Sequence, residues 1–240
     1  MDFNRANLSL EPINTGINDA IEQAATAAAT QLERPYLGAS IVGHECLRRI
    51  QYDWWCKPVL TARTREIFDR GHYFEERARQ QLIAAGFRFV PPDACYFTAV
   101  DNALRGHADG IVIHAPEMLG VYLIPPFVWE HKCLKAQSWR AVERDGLAKK
   151  HSVYLAQVAL YQCYLDVTNP ALFTVTNADT CELLHFLIPF DAERAQEWSD
   201  RAANIIAATR ANELLPRAYD NPDDWHCRCC PHAERCWRSA

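Results

Sequence analysis

The sequence predicts an α/β protein: a central β-sheet flanked by helices, with a helical N-terminal part and a cysteine-rich C-terminal loop. Three observations predict it. Long helical segments precede residue 87, short segments rich in β-branched and aromatic residues follow, and helical periodicity returns near residue 137. The 240 residues, 49% hydrophobic and 23% charged, suit one sizeable globular domain. We expect a helical part at 1–86, a sheet core at 87–190 and a C-terminal helix and loop at 191–240.

Two segments predict helices before the sheet. Residues 19–34 are rich in Ala, Glu, Gln and Leu, and Pro35 ends the run. Residues 66–85 place apolar side chains at helical spacing, and Gly86 follows as a stop signal.

The middle of the chain predicts the strands. Turn-forming residues separate five segments of strand composition, which are 87–90, 95–100, 108–114, 121–125 and 127–132. Residues 137–166 return to helical periodicity, and two further strands, 171–177 and 180–189, follow. A last helix should begin with Asp191 as N-cap and stop before Pro216, and the closing segment 221–240 has the composition of a loop.

The net charge of −5 excludes a positive electrostatic potential over the whole protein. A nucleic acid would therefore have to bind a local patch of basic residues. Basic residues do cluster with aromatic ones, as around Arg48 and Trp54 and around Trp139 and Arg140, which suits a channel for a single strand. The N-terminal sequence lacks the pattern of a secretory signal, and no apolar run is long enough to span a bilayer. We therefore expect a cytoplasmic protein.

The sharpest chemical pattern joins two predicted strands. Asp109 lies in Gly106-His-Ala-Asp-Gly110 within one strand, and twenty-one residues later Glu130-His131-Lys132 ends another. Alternation along a strand projects Glu130 and Lys132 to one side, while the His131 carbonyl can still reach a nearby ion. Carboxylate and carbonyl oxygens suit the Mg²⁺ or Mn²⁺ that phosphodiester hydrolysis uses, and a lysine can orient the attacking water.

The alternative explanation is that these residues are merely polar strand ends. The apolar runs 111–113 and 127–129 beside Asp109 and Glu130 argue against it, because surface charges are less expected there. Glu75, on the second helix, can supply a further metal ligand, whereas its neighbour Glu76 suits the solvated face. Gln157 and Tyr161 stand one helical turn apart, and a core stripe is the alternative for the tyrosine.

These motifs together resemble the RecB-type branch of the PD-(D/E)xK nucleases. The order is G-x-x-x-E at 71–75, G-H-x-D-G at 106–110, E-x-K at 130–132 and Q-x-x-x-Y at 157–161, and residues 70–79 also resemble phage recombination exonucleases of the lambda type. The resemblance covers about residues 36–236, with Ala108 in place of the proline before the aspartate. It implies a restriction-endonuclease-like core with a mixed sheet, and it assigns catalysis to one set of residues and DNA contact or bracing to Gln157 and Tyr161. The catalytic set is Glu75, Asp109, Glu130 and Lys132.

Four of the ten cysteines lie in the last fourteen residues. Cys227, Cys230 and Cys236 supply three thiolates, with Cys229, His226 and His232 as alternatives, and Cys46 is the candidate for a fourth. Four thiolates suit a 4Fe-4S cluster or a structural zinc ion. One cysteine followed by a C-terminal group of three resembles the CRISPR-associated iron-sulfur exonucleases and the AddB nuclease domain, which favours iron. The other cysteines, 56, 95, 133, 163 and 181, are expected to be small buried hydrophobes.

These observations predict a metal-dependent DNA exonuclease that acts on single strands or DNA ends in recombination, repair or CRISPR adaptation. A second hypothesis is a catalytically silent nucleic-acid-binding or assembly subunit with the same fold. A third is a zinc-stabilised enzyme that cuts a phosphodiester other than DNA.

Overall fold

The computed structural model describes residues 10–27, 35–55, 60–118 and 120–238. Its first helices are α1 (Leu10–Ala27), α2 (Leu47–Trp55) and α3 (Ala62–Ala84). Helix α1 overlaps the predicted helix 19–34 only up to residue 27, and residues 28–34 and Cys56 lie outside the described residues. Helix α3 confirms the predicted helix 66–85. The Thr61 hydroxyl caps its start by accepting the N–H of Thr64 at 3.2 Å, and Gly86 follows its end with φ at 99°.

Two sheets lie at the centre of the described chain. The strands in chain order are β1 (Leu37–Gly38), β2 (Arg88–Phe89), β3 (Tyr96–Ala99), β4 (Leu104–His107), β5 (Gly110–His114), β6 (Phe127–Leu134), β7 (Ala171–Asn177) and β8 (Leu183–Ile188). The larger sheet has the order β2-β5-β6-β7-β8, and its β6–β7 pair is parallel while the other pairs are antiparallel. This is the mixed sheet that the sequence predicted. The smaller sheet has the order β1-β4-β3.

Two of the strand predictions are wrong. Gly106 and Gly110 do not share a strand, because β4 belongs to the small sheet and β5 to the large one, and Asp109 lies where the chain passes between them. Residues 121–125 form no strand beyond a bridge to Met118. Tyr122 is 81% exposed, Leu123 packs against the core, and Pro125 has no N–H to donate to a neighbour.

The helical periodicity predicted at 137–166 is confirmed, and the segment is divided into three helices, α4 (Ala136–Asp145), α5 (Leu147–Lys150) and α6 (Ser152–Tyr164). Gly146 interrupts it with φ 83° and ψ 158°, and His151 interrupts it again with φ −144° and ψ 62°. Neither backbone conformation fits a helix.

Helix α7 (Ala192–Arg210) confirms Asp191 as N-cap, since its carboxylate accepts the N–H of Arg194 at 3.1 Å. The closing segment is not only loop, because it contains α8 (Trp225–Arg228) and α9 (Ala233–Arg238). Asp224 starts α8 by accepting the N–H of His226 at 2.8 Å. Among the described helices, none has the length and apolar character needed to cross a bilayer.

The core fills both faces of the central strands. Val128 on one face packs in the larger cluster, which includes residues of α6 and α7. Phe127 and Trp129 on the other face pack in a smaller cluster with Ala78 of α3. By strand alternation, Glu130 and Lys132 therefore face α6, and His131 and Cys133 face α3.

Candidate active site

The site lies where β5 and β6 separate. The two strands pair from Val112 opposite Phe127 to Gly110 opposite Trp129, and one residue further Asp109 turns away toward β4. Where the backbone pairing of the two strands ends, the Asp109 Oδ2 atom accepts the backbone N–H of His131 at 2.7 Å. The side chain of Asp109 is thereby held against the strand that carries Glu130. The sequence placed Glu130 to Lys132 at a strand end, but β6 continues to Leu134.

Glu130 is completely buried. Its Oε1 atom accepts the Nε2 amide of Gln157 at 2.7 Å and pairs with the Lys132 ammonium, while its Oε2 atom has no hydrogen-bond partner. Burial and the nearby Asp109 carboxylate together raise the pKa of this carboxyl to about 8, against the opposing effect of Lys132. A buried carboxyl with one unpartnered oxygen needs a proton or a cation there.

Lys132 is the cation of the site. Burial alone would lower its pKa, but the Glu130 and Asp109 carboxylates outweigh burial and raise it, so the amine stays protonated. Its Nζ lies 5.6 Å from the ring centroid of Tyr154 on α6, and the exposed fraction of its side chain is 24%. The ammonium therefore lies between Glu130 and the Tyr154 ring, and part of the lysine side chain is exposed.

Glu75 approaches from α3. Burial and the Asp109 carboxylate raise its pKa to about 7, and the opposing effects of His72 and Lys132 are weaker. The His72 Nδ1 atom lies 3.6 Å from a carboxylate oxygen of Glu75. The pKa of Asp109 is raised by burial too, although Lys132 and the N–H of His131 oppose the shift. The structure therefore brings together all four residues that the sequence proposed as catalytic.

Gln157 and Tyr161 brace this group from α6. Both are buried, and the Nε2 amide of Gln157 donates to the Tyr161 hydroxyl at 2.9 Å as well as to Glu130. The His131 ring hydrogen-bonds to the Thr176 hydroxyl at 2.7 Å on the α3 face, and burial lowers its pKa to about 3, which keeps it neutral. These contacts fix the strand that carries Glu130 and Lys132 from both faces.

The donor set fits a hard divalent cation. Three carboxyls with raised pKa values and one unpartnered oxygen are what a divalent ion would stabilise. Within the described residues, however, no three His, Cys, Asp or Glu side chains are already placed around one ion. Glu130 Oε1 and Asp109 Oδ2 are engaged by neighbouring donors, and Glu130 Oε2 is the buried oxygen left without a partner.

Two contacts of the site do not follow from the motifs in the sequence. One brings Lys132 to the ring of Tyr154, and the other joins His131 to Thr176, which lies 45 residues away in sequence on the neighbouring strand. The spacing of three residues between Tyr154 and Gln157 puts both on one face of α6 and is the signal that could have identified the tyrosine. The partner of His131 depends on strand register, which the sequence does not specify.

A second candidate centre is a cavity of about 340 Å³ between the loop before α2 and the C-terminal segment. Its lining includes the four proposed ligands and Cys229, so the structure brings Cys46 to the C-terminal thiols. The proposed ligands are Cys46, Cys227, Cys230 and Cys236. Burial raises the pKa of Cys227 and of Cys230, and the nearby Cys46 thiol contributes a smaller effect in the same direction.

Neighbouring contacts hold this cavity in shape. The Arg201 guanidinium of α7 donates to the carbonyls of Val42 at 2.9 Å and His44 at 2.6 Å, which fixes the loop that carries Cys46. The alternative histidine ligands are already engaged, His232 with Asp53 and His226 with Asp224. The thiols are the remaining proposed ligands, and of these the Cys236 thiol accepts the Nε N–H of Arg217 at 3.3 Å.

The expectation of buried single cysteines holds only for Cys95. Cys133 is partly buried, and Cys163 and Cys181 are exposed. Cys163 lies near the end of α6 and Cys181 in the turn between β7 and β8, where the core leaves their side chains uncovered.

The class that this architecture defines is a mixed α/β fold with a restriction-endonuclease-like core, as the sequence predicted. Among solved structures, the chain is similar to the alkaline exonuclease LHK-Exo of Laribacter hongkongensis, with a TM-score of 0.52 and 15% identity over 79% of this chain and 93% of that chain. The same exonuclease in complex with dAMP gives a TM-score of 0.51 and 15% identity over 81% of this chain and 93% of that chain. No family model and no curated protein sequence matches the chain. At this identity the likeness shows a shared fold.

Proposed function

We propose that this chain is a single-domain, metal-dependent DNA nuclease of the PD-(D/E)xK type, distantly related to RecB-type nucleases. The observation that carries the proposal is the buried Glu130 with its unpartnered oxygen, next to Asp109, Glu75 and the ammonium of Lys132. Purely structural ion pairs do not need three acidic groups whose pKa values are all raised. Such clusters of perturbed carboxyls are typical of catalytic sites.

The proposed Mg²⁺ or Mn²⁺ ligands are Glu75, Asp109, Glu130 and the backbone carbonyl of His131. A divalent ion held there would polarise the phosphate and lower the pKa of a bound water. Lys132, fixed between Glu130 and Tyr154, would orient the attacking water and stabilise the negative charge that develops on the phosphate. Gln157 would hold the Glu130 carboxylate in place.

Exonuclease action on single-stranded DNA or DNA ends is the mode that we propose. This chain shares its fold with an alkaline exonuclease that has also been solved in complex with dAMP. That similarity supports DNA as the proposed substrate. Recombination, repair and CRISPR adaptation are the processes in which such an activity would serve.

The test is digestion of end-labelled single- and double-stranded DNA with Mg²⁺ or Mn²⁺, using Lys132→Ala and the control Lys135→Ala, which removes an exposed lysine three residues away. We expect metal-dependent products from the wild type and the control, lost in Lys132→Ala, with the label giving the polarity. A folded, metal-loaded wild type that binds DNA without cutting it would instead support the silent binding subunit.

We also propose that Cys46, Cys227, Cys230 and Cys236 hold a 4Fe-4S cluster. Four thiolates suit such a cluster or a structural zinc ion, and the meeting of the four cysteines at one cavity supports a shared metal centre. The resemblance to iron-sulfur exonucleases favours iron. The nine described cysteines are free thiols, which suits the reducing cytoplasm that we propose as the location. Anaerobic purification should give a brown protein with iron bound, and a colourless preparation containing zinc would contradict the cluster.

A further inference from the structure

Arg70 on α3 is a charged side chain with unused hydrogen-bonding capacity. Of the side chains that the structure describes, only three have a buried nitrogen or oxygen without a partner, and the atoms are Arg49 Nε, Arg70 Nε and Glu130 Oε2. Arg49 has Asp53 as an ion-pair partner at 3.7 Å. Arg70 forms no ion pair with any described residue. Its guanidinium lies near enough to the Cys133 thiol, a weak acceptor, to lower the pKa of that thiol against the larger effect of burial.

The position of Arg70 relates it to the candidate active site. Cys133 directly follows Lys132 on β6, and it faces α3 where Lys132 faces α6. Arg70 therefore lies across the strand from the lysine, on the helix that also carries Glu75. The carboxylate of Asp179 acts on the same thiol, but it accepts the N–H of Ala136 at 3.1 Å and makes no ion pair with Arg70.

A guanidinium has five N–H donors in a planar fork that matches the oxygens of a phosphate. The Nε donor of Arg70 is buried without a partner, and a buried donor in that state is destabilising. Partners on the protein would be carboxylates or carbonyls, and none is in hydrogen-bonding contact with the Nε atom. A phosphate of a bound nucleic acid has oxygens of the kind that this donor lacks.

We propose that Arg70 binds a backbone phosphate of the DNA strand next to the scissile phosphate, and so holds the strand in register with the active site. This inference rests on the proposed function. Because Arg70 and Lys132 lie on opposite sides of β6, the arginine acts on the neighbouring phosphate and not on the reacting one.

The experiment is fluorescence anisotropy of a labelled single-stranded oligonucleotide with Ca²⁺ in place of Mg²⁺, over a series of salt concentrations. Arg70→Ala should weaken binding about tenfold, which is the size of one charge-assisted hydrogen bond. The slope of log affinity against log salt should fall by about 0.7, the contribution of one phosphate on a single strand. Arg88→Ala is the matched control, because it also removes an exposed positive charge. Arg88 lies on β2, opposite the end of β5 that is farther from Asp109.

A neutral methylphosphonate moved along the oligonucleotide locates the contact. At one position the methylphosphonate should lower the affinity of the wild type for the oligonucleotide. At that same position it should leave the affinity of Arg70→Ala unchanged. If Arg70→Ala does not fold, Arg70→Gln removes the charge while keeping a long polar side chain. Affinity and salt slope equal to those of the wild type would overturn the role of Arg70. A folded wild type that binds no DNA would overturn the proposed function itself, and the two failures are thus distinguishable.

Discussion

The substitution Gly106→Ala tests how packing holds the site. A Cβ atom at Gly106 would lie 2.3 Å from Phe97 Cε1 and 2.7 Å from Tyr161 Cε1, so the Phe97 ring must retreat by about 1 Å to reach an ordinary contact of ~3.5 Å. Phe97 is stacked on Tyr164 at 4.8 Å and has little freedom to move. Displacement of Tyr161 would in turn disturb the amide of Gln157 that donates to Glu130.

Overpacking of this kind destabilises a core by about 1–3 kcal/mol. For a chain of this length each kcal/mol lowers Tm by roughly 2–4 °C. Calorimetry should therefore show Tm lower by about 2–12 °C in Gly106→Ala, and the metal-dependent activity should fall even at temperatures where the protein remains folded. Phe97→Leu, which removes the closest ring atoms, should recover part of the lost stability in the double variant.

Gly71→Ala is the matched control, because nothing lies within 4 Å of its Cβ position in the interior of α3. Alanine should there raise stability by about 0.5–1 kcal/mol. The reasoning would be refuted if Gly106→Ala melted at the wild-type temperature, or if Gly71→Ala were the more damaging of the two.

Three further predictions concern the ligands. Gln157→Leu removes a donor to Glu130 and should weaken Mn²⁺ affinity about 10–100-fold by titration calorimetry; unchanged affinity would exclude the bracing role. Since burial raises the pKa of Glu75 to about 7 and of Glu130 to about 8 in the metal-free protein, both are largely protonated at low pH and ion binding must displace protons. Mn²⁺ affinity should therefore rise with pH up to about 8, with protons released, and equal affinity at all pH values would contradict this. Cys46→Ser should lower the bound iron per chain while Cys181→Ser, at an exposed thiol, leaves it unchanged; equal iron in both would remove Cys46 from the ligands.

Sequence patterns predicted the elements whose cause is local. Helix α3 follows from its periodicity and from Gly86, and α7 from its Asp191 cap. The break of α4 to α6 depends on the conformation of Gly146 and of His151, and histidine gives no breaker signal of its own. Segment 121–125 has strand composition, yet within the described residues it forms only a bridge between Val121 and Met118, and such pairing depends on the assembled fold.

In the candidate site, too, features with a local cause were predicted, and features that depend on the assembled fold were not. The spacing of Glu130 and Lys132 and the order of the motifs were sufficient to select residues that meet in space. The sequence did not predict that Asp109 lies between two sheets. The alternation of apolar and polar residues identifies a strand but does not indicate which sheet that strand joins. The unpartnered atom of Arg70 also depends on what α3 packs against, and no residue pattern specifies that.

The most direct test of the central claim is the rate of cleavage in a preassembled complex. Lys132→Met and the control Lys135→Met would each be saturated with DNA, and Mg²⁺ would be added to start a single turnover. We expect Lys132→Met to bind DNA as the wild type does and to cut it at least 100-fold more slowly, a barrier higher by about 2.7 kcal/mol, while Lys135→Met cuts at the wild-type rate. Equal rates for Lys132→Met and the wild type would contradict the proposed active site.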